Sequence, residues 1–151
     1  SGVGGLLCPD QALWYQREVD LKFECGKRYL LHFEAVDYEC VVWVNGHEVG
    51  QHRGGNCPFS FDITAAINLD SNTFVVRVVD ETGEHQLRGK QSLQPEGIWY
   101  TSVSGIWQTV WLETVPETYI QDLRIDSRIV PASVTIQGTI GGIRAATMSL
   151  N

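Results

Sequence analysis

The sequence has 151 residues, of which 43% are hydrophobic, 10% aromatic and 19% charged, a composition typical of one globular domain. A catalytic TIM barrel needs roughly 250 residues, so this length excludes one. With 11 Lys and Arg against 18 Asp and Glu, the net charge of −7 disfavours nucleic acid and anionic membrane surfaces as partners, and no apolar run is long enough to span a bilayer.

Short strands separated by turns are predicted from the two-residue hydrophobic period that dominates the chain. The first three are predicted at 14–21, 28–36 and 40–44. The pair Asn45-Gly46 tolerates the positive φ angles of a type I′ turn, so residues 47–51 are expected to return as the second strand of a hairpin.

The middle of the chain continues in the same way. A strand is predicted at 59–62, one helical turn at 63–67, a central strand buried on both faces at 74–79, and further strands at 107–112 and 119–125. At least seven strands and no long helix favour an all-β fold, an antiparallel β-sandwich or jelly roll. A strand-like run at 134–140 is either the last strand of the sandwich or the first strand of a following domain.

The segment 81–104 has neither a strand nor a helix period, and structureless connections of this length are usually functional or disordered. Its apolar content indicates packing rather than disorder. A sugar offers a C–H face that stacks on Trp or Tyr and hydroxyls that pair with Arg, Gln and Glu. The segment therefore is a candidate sugar site. Alternatively, Trp99 and Tyr100 only close one end of the core.

A second candidate is the glycine-containing turn after residue 51. Arg53 and Asn56 flank two glycines, which allow unusual backbone conformations, and both are candidate ligand contacts beside the long segment. The alternative is a plain strand crossover anchored by Phe59. Neither paired carboxyls of a glycosidase, nor a nucleophile elbow, nor a phosphate loop is evident, so no catalytic residue is predicted.

The four cysteines, Cys8, Cys25, Cys40 and Cys57, lack the spacing of a zinc site, and no metal or cofactor is expected. We interpret them as unpaired and mostly buried thiols in a reducing compartment such as the cytoplasm, in keeping with the absence of a signal-peptide pattern. A disulfide framework is the alternative.

Several motifs follow one another in a distinctive order. They are ALWYQR at 12–17, LHFEAVDY at 31–38, VWVNGHEVG at 42–50, GGNCPFSFDIT at 54–64, RGKQ at 88–91, GIWY at 97–100 and SGIWQTVWLE at 104–113. Together they resemble the N-terminal sugar-binding domain of glycoside hydrolase family 2, the family of β-galactosidase, β-glucuronidase and β-mannosidase type enzymes. The resemblance implies a galactose-binding-like jelly roll over residues 12–125, an N-terminal extension at 1–11, and at 126–151 a linker or the first strand of a truncated following domain.

The same resemblance implies a function. In that family a separate TIM barrel carries the catalytic glutamates, and the loop before the Ser-Gly-Ile segment approaches the active site. Five residues are therefore expected to face the substrate or the barrel: Arg88, Lys90, Gln91, Trp99 and Tyr100. We expect a non-catalytic carbohydrate-binding module of a retaining O-glycosidase, with a carbohydrate and the barrel as partners and no cofactor. The alternatives are a scaffold domain that binds no sugar, or a complete sandwich glycosidase.

Overall fold

The computed structural model of the protein describes residues 7–142. Its strands are β1 (Leu13–Asp20), β2 (Lys27–Phe33), β3 (Val36–Asp37), β4 (Glu39–Val44), β5 (His47–Arg53), β6 (Phe59–Asp62), β7 (Ser71–Val79), β8 (Gln91–Ser92), β9 (Tyr100–Thr101), β10 (Gly105–Ile106), β11 (Val110–Pro116), β12 (Thr118–Arg128) and β13 (Ser133–Gly142). No helix in this part of the chain is long and apolar enough to cross a membrane.

Two antiparallel sheets supply the core. One has the strand order β1-β7-β4-β5, and the other has the order β11-β2-β6. Alternate side chains of both sheets point inward and form one buried cluster, which includes Tyr29, Leu31, Phe33, Val42, Val44, Ile63, Phe74, Val76 and Val78. Full burial of each such side chain contributes roughly 1.5–3 kcal/mol. The all-β sandwich class predicted from the sequence is confirmed.

The predicted hairpin is present between β4 and β5. Asn45 and Gly46 have φ angles of 52° and 80°, as a type I′ turn requires. The Asn45 side chain also has a tertiary role, because its Nδ2 donates to the Asn72 Oδ1 at 2.8 Å and its Oδ1 accepts from the Thr73 amide at 2.9 Å. The turn residue therefore fastens the hairpin to the start of β7.

The strand β7 lies at the centre of its sheet, as predicted, but it is not buried on both faces. Phe74, Val76 and Val78 enter the core, whereas Val75 and Arg77 on the opposite face are only half-buried. On that face the register places Trp14 opposite Arg77 and Trp43 opposite Val75. The predicted helical turn at 63–67 is a single hydrogen-bonded turn, with the Ala66 amide bonded to the Ile63 carbonyl.

The chain divides into two compact units. Within the described residues, the first unit consists of residues 7–23 and Tyr29–Glu113. The second unit consists of Glu24–Arg28 and residues 114–142. In the second unit, β12 and β13 form an antiparallel pair. Its register runs from Thr118 opposite Gly142 to Arg128 opposite Ser133. The remainders of the predicted end segments, residues 1–6 and 143–151, lie outside the part of the chain that the structure describes.

Candidate functional site

The segment 81–104, called the long loop below, is held by backbone pairing that its sequence did not reveal. Gln91 and Ser92 of β8 run parallel to Tyr100 and Thr101 of β9, and the Tyr100 amide donates to the Lys90 carbonyl at 2.8 Å. Two-residue strands are too short to show a periodicity, which is why the sequence pattern missed them.

The buried carboxyl group of Asp80 ties the two ends of the long loop together. It accepts hydrogen bonds from the Thr82 amide at 2.8 Å and from the Gln86 Nε2 and the Ser104 Oγ at 2.5 Å each, with the Thr82 hydroxyl at 3.4 Å. A buried carboxyl group is tolerated only when donors of this kind surround it. Asp80 follows a strand directly, where an Asp is typical of an ordinary turn, so no local pattern indicates this role.

A second buried carboxyl group lies at the base of the long loop. Asp37 is 8% exposed, and its Oδ1 has no hydrogen-bond partner among the described residues. Burial and then the charge of Asp80 raise the pKa of Asp37 to about 6, and a side-chain hydrogen bond with Gln91 opposes the shift. Gly55 packs against this carboxyl group so closely that a Cβ at position 55 would lie 2.5 Å from the Asp37 Oδ1.

Arg88 and Trp99 form the most ligand-like feature of the long loop. The Arg88 Nη1 donates to the Thr82 carbonyl at 2.9 Å, and its guanidinium carbon lies 5.9 Å from the centroid of the Trp99 ring, a cation–π arrangement. Both line a hollow of about 530 Å³, together with Ser92, Gln94, Glu96 and Gly97. An indole and several donors and acceptors thus surround one space, as a sugar requires.

Trp99 and Tyr100 do not close the core. They are 45% and 66% exposed, and neither belongs to the buried cluster. Of the five long-loop residues singled out in the sequence, only Arg88 and Trp99 line the hollow. Gln91 braces the loop instead, since its Oε1 accepts from the Val103 amide at 2.6 Å, while Lys90 is exposed.

The glycine-containing turn is brought to the base of the long loop through Asp37. The Arg53 Nε pairs with the Glu39 Oε1 at 2.9 Å, and its guanidinium lies 5.5 Å from the centre of the Tyr38 ring, so this side chain is held along its own sheet. Asn56 is exposed in the turn. Neither residue lines the hollow.

A second hollow, of about 500 Å³, opens between the two sheets. Its lining is mainly apolar: Tyr15, Val19, Leu31, Phe33, Phe74, Val76, Ile106, Val110, Trp111 and Leu112, with Gln16 and Arg17. Most of these residues also belong to the core or pack against it. Few polar groups face this space, so it suits a polyhydroxyl ligand less well than the hollow of the long loop.

All four cysteines are free thiols, but the expectation that they are mostly buried is wrong. Only Cys40 is buried, and its pKa is raised to about 11 because burial disfavours the thiolate. Cys8, Cys25 and Cys57 lie exposed in turns and connections, where the sequence offered no apolar strand to cover them. Across residues 7–142, no group of three or more His, Cys, Asp or Glu side chains is placed to hold a metal ion.

Known proteins match the chain in sequence and in structure. The model of the glycosyl hydrolases family 2 sugar binding domain matches residues 8–116. A β-galactosidase of Thermoanaerobacter pseudethanolicus is 33% identical over 138 residues, covering 85% of this chain and 18% of that enzyme. A putative β-glucuronidase of Formosa agariphila is 34% identical over 113 residues, covering 74% of this chain and 13% of that protein.

The solved structures agree. A calcium-binding mutant of Bacteroides uniformis β-glucuronidase 2 superposes with a TM-score of 0.69 at 26% identity, covering 87% of this chain and 16% of that protein. The chain thus spans less than a fifth of the length of these three relatives. The chain belongs to the sugar-binding domain family of the family 2 glycosyl hydrolases.

Proposed function

We propose that this chain is a non-catalytic carbohydrate-binding module of a retaining family 2 glycosidase, and that its long loop contacts the glycoside. The pairing of Arg88 with Trp99 beside a polar hollow is the observation that carries the proposal. The names of the relatives favour a galactoside or a glucuronide as the substrate class. Mannosides and xylo-oligosaccharides are the other candidates.

The chemistry of the hollow fits a pyranose. The indole of Trp99 offers a surface for the C–H face of the ring, and the guanidinium of Arg88 is already oriented by the Thr82 carbonyl, so binding orders it little further. Gln94 and Glu96 add an amide and a carboxylate for hydroxyl groups. We assign Gln91 a positioning role, because its side chain holds the backbone of the loop at Val103.

The remaining candidate residues lie further from the hollow. Lys90, Tyr100, Arg53 and Asn56 are exposed, and we propose that they contact a longer ligand or the catalytic barrel of the full-length enzyme. One aromatic contact and a few hydroxyl bonds in an open hollow support only millimolar affinity, about −4 kcal/mol. The isolated chain is therefore expected to bind weakly, and the barrel would complete the pocket.

A scaffold role without sugar binding is the second candidate. Exposed apolar side chains on the long loop, namely Leu87, Ile98 and Val103, favour it, because exposed apolar surface often marks a site of contact with another protein surface. The two candidates differ in one respect that is easily measured. Only a binding module responds to free sugar.

Titration of the chain with galactosides, glucuronides, mannosides and xylo-oligosaccharides tests the proposal, with tryptophan fluorescence and reducing-sugar release as readouts. We expect saturable quenching without sugar release and, with a neutral galactoside, loss of quenching in Trp99→Ala and Arg88→Gln. Arg124→Gln is the matched control, since that arginine lies on β12 and pairs with Asp126. No response to any sugar contradicts the binding role and leaves the scaffold role, whereas sugar release contradicts a non-catalytic module.

A further inference from the structure

The sheet face opposite the core carries an ordered set of side chains that the proposed function does not use. Residues directly opposite one another in a sheet share a face, and neighbouring strands lie ~4.8 Å apart. Two adjacent rows cross the four strands β1, β7, β4 and β5. The first row is Trp14, Arg77, Val41 and Gln51, and the second is Gln16, Val75, Trp43 and Glu48. We call these two rows the outer sheet face.

Two tryptophans dominate the outer sheet face. The rings of Trp14 and Trp43 stack at 5.8 Å between centroids and 23° between planes, although their strands are separated by β7. Trp43 is half-buried, whereas Trp14 remains 62% exposed. The stacking fixes the orientation of the Trp14 indole and leaves much of its surface open to solvent, as in an aromatic platform for a sugar ring.

Arg77 supplies a positive charge beside this platform. Its guanidinium carbon lies 6.0 Å from the centroid of the Trp14 ring. Among residues 7–142 no carboxylate lies within ion-pair distance of Arg77, whereas Arg53 on the same sheet pairs with Glu39. A half-buried guanidinium without a carboxylate, in a chain of net charge −7, is therefore free to form a bidentate pair with an external anion.

The acidic groups of this sheet surface leave room for such an anion. Glu39 forms an ion pair with Arg53, and Glu48 lies in the second row, two strands away from Arg77. Glu18 lies opposite Thr73, further along the sheet. The neighbours of Arg77 in its own row are Trp14 and Val41, which carry no charge. Attraction to an anion at Arg77 is thus opposed only by more distant charges.

We infer that the outer sheet face is a second carbohydrate site, which takes a pyranose bearing an anionic group, a carboxylate or a sulfate. The C–H face of the sugar stacks on Trp14, and its anionic group accepts two hydrogen bonds from Arg77. Gln16 and Gln51 lie in the same two rows and supply amides for hydroxyl groups. This face shares no residue with the hollow of the long loop, so the inference stands independently of the proposed function.

Isothermal titration of the chain with trigalacturonate, a sulfated trisaccharide and neutral cellotriose tests the inference. We expect at least one anionic sugar to bind and cellotriose to bind about tenfold more weakly, with an affinity for the anionic sugar that falls as salt is raised. Arg77→Gln and Trp14→Ala should each weaken anionic-sugar binding about tenfold or more. Arg124→Gln, which removes an arginine of β12 that pairs with Asp126, is the matched control and should leave it unchanged. The preferred trisaccharide identifies the anionic group.

Several results would overturn the inference. These are failure of both anionic sugars to bind at millimolar concentration, equal binding of the neutral sugar, and anionic-sugar binding that is unchanged in Arg77→Gln and Trp14→Ala. Competition by inorganic sulfate as strong as that by the sugars would reveal an anion site without sugar recognition. Self-association that disappears in Trp14→Ala, measured by sedimentation, would show that a second copy covers the face. Thermal unfolding of each variant confirms that it is folded.

Discussion

The chain presents two arginine–tryptophan pairs with almost the same internal geometry and different supports. The guanidinium carbon lies 5.9 Å from the ring centroid in the Arg88–Trp99 pair and 6.0 Å in the Arg77–Trp14 pair. On the sheet, the backbone ladder between β1 and β7 sets the pair, because Trp14 and Arg77 are direct partners. In the long loop, the pair depends on side chains, above all on Asp80.

This difference shows where each pair is vulnerable. A backbone ladder survives most substitutions of single side chains, whereas a loop held by a few buried polar groups is lost when one of them changes. The loop pair should therefore respond to buried groups at its base and to pH, while the sheet pair should not. The following changes separate the two.

Asp80→Ala should have the largest effect. It removes the acceptor of the Thr82, Gln86 and Ser104 hydrogen bonds and leaves buried donors unpaired, at a cost of roughly 3–5 kcal/mol in the free energy of unfolding. Urea unfolding of the variant and the parent chain measures this loss in the free energy of unfolding. Hydrogen exchange should rise across residues 82–104, with sugar binding at the long loop lost.

The control for that change is Glu39→Ala, which removes an exposed acidic group with an expected cost of about 1 kcal/mol or less. Anionic-sugar binding at the outer sheet face should persist in Asp80→Ala. Unchanged exchange in the long loop, or loss of both sites together, would contradict the distinction between the two supports.

The pH dependence should be the next largest effect. The pKa of Asp37 rises from its ordinary value of 3.8 to about 6, so the folded chain binds this proton more tightly than the unfolded chain. Binding of this proton contributes at most roughly 3 kcal/mol to the free energy of unfolding. The contribution is complete below pH 3.8 and is lost as pH rises through about 6.

Urea unfolding of Asp37→Asn beside the parent chain measures this contribution. The difference in stability between the two proteins should shift in favour of Asp37→Asn between pH 4 and pH 7 and stay level above pH 7. Because other carboxyl groups titrate in both proteins, only the difference is informative. A difference that does not vary with pH would show that Asp37 has its ordinary pKa.

Gly55→Ala should have a smaller effect, of roughly 1–3 kcal/mol. The added Cβ would lie 2.5 Å from the Asp37 Oδ1, so the carboxyl group or the turn must move. Shortening the opposing side chain provides a matched test. Because the clash is with the Asp37 carboxyl group, Gly55→Ala should cost much less in an Asp37→Ala background than in the parent chain, and additive costs in a double-mutant cycle would contradict this contact.

The sequence allowed the sandwich to be predicted but not the groups that support its candidate sites. A two-residue period and Asn45-Gly46 report local structure, and both the strands and the hairpin follow from them. The roles of Asp37 and Asp80 arise from donors and neighbours distant in sequence, such as Gln91 and Ser104. A single sequence contains no signal for those distances.

The outer sheet face was missed for a related reason. Residue 14 and residue 77 become neighbours only through the register of β1 against β7, and Trp14 alone resembles an ordinary strand residue. The long loop was recognised because its length and composition are local properties. Its hollow involves fewer of the expected residues than the composition suggested, since the loop turns several of them outward or uses them as braces.

Sugar binding by the long loop through Trp99 is tested most directly by an NMR titration with a glycoside that follows the indole N–H signals of the five tryptophans. With a neutral galactoside, we expect the Trp99 signal to shift saturably at millimolar concentration while the Trp14 signal stays in place. A Trp99 signal that does not move with any glycoside, neutral or anionic, would contradict the claim.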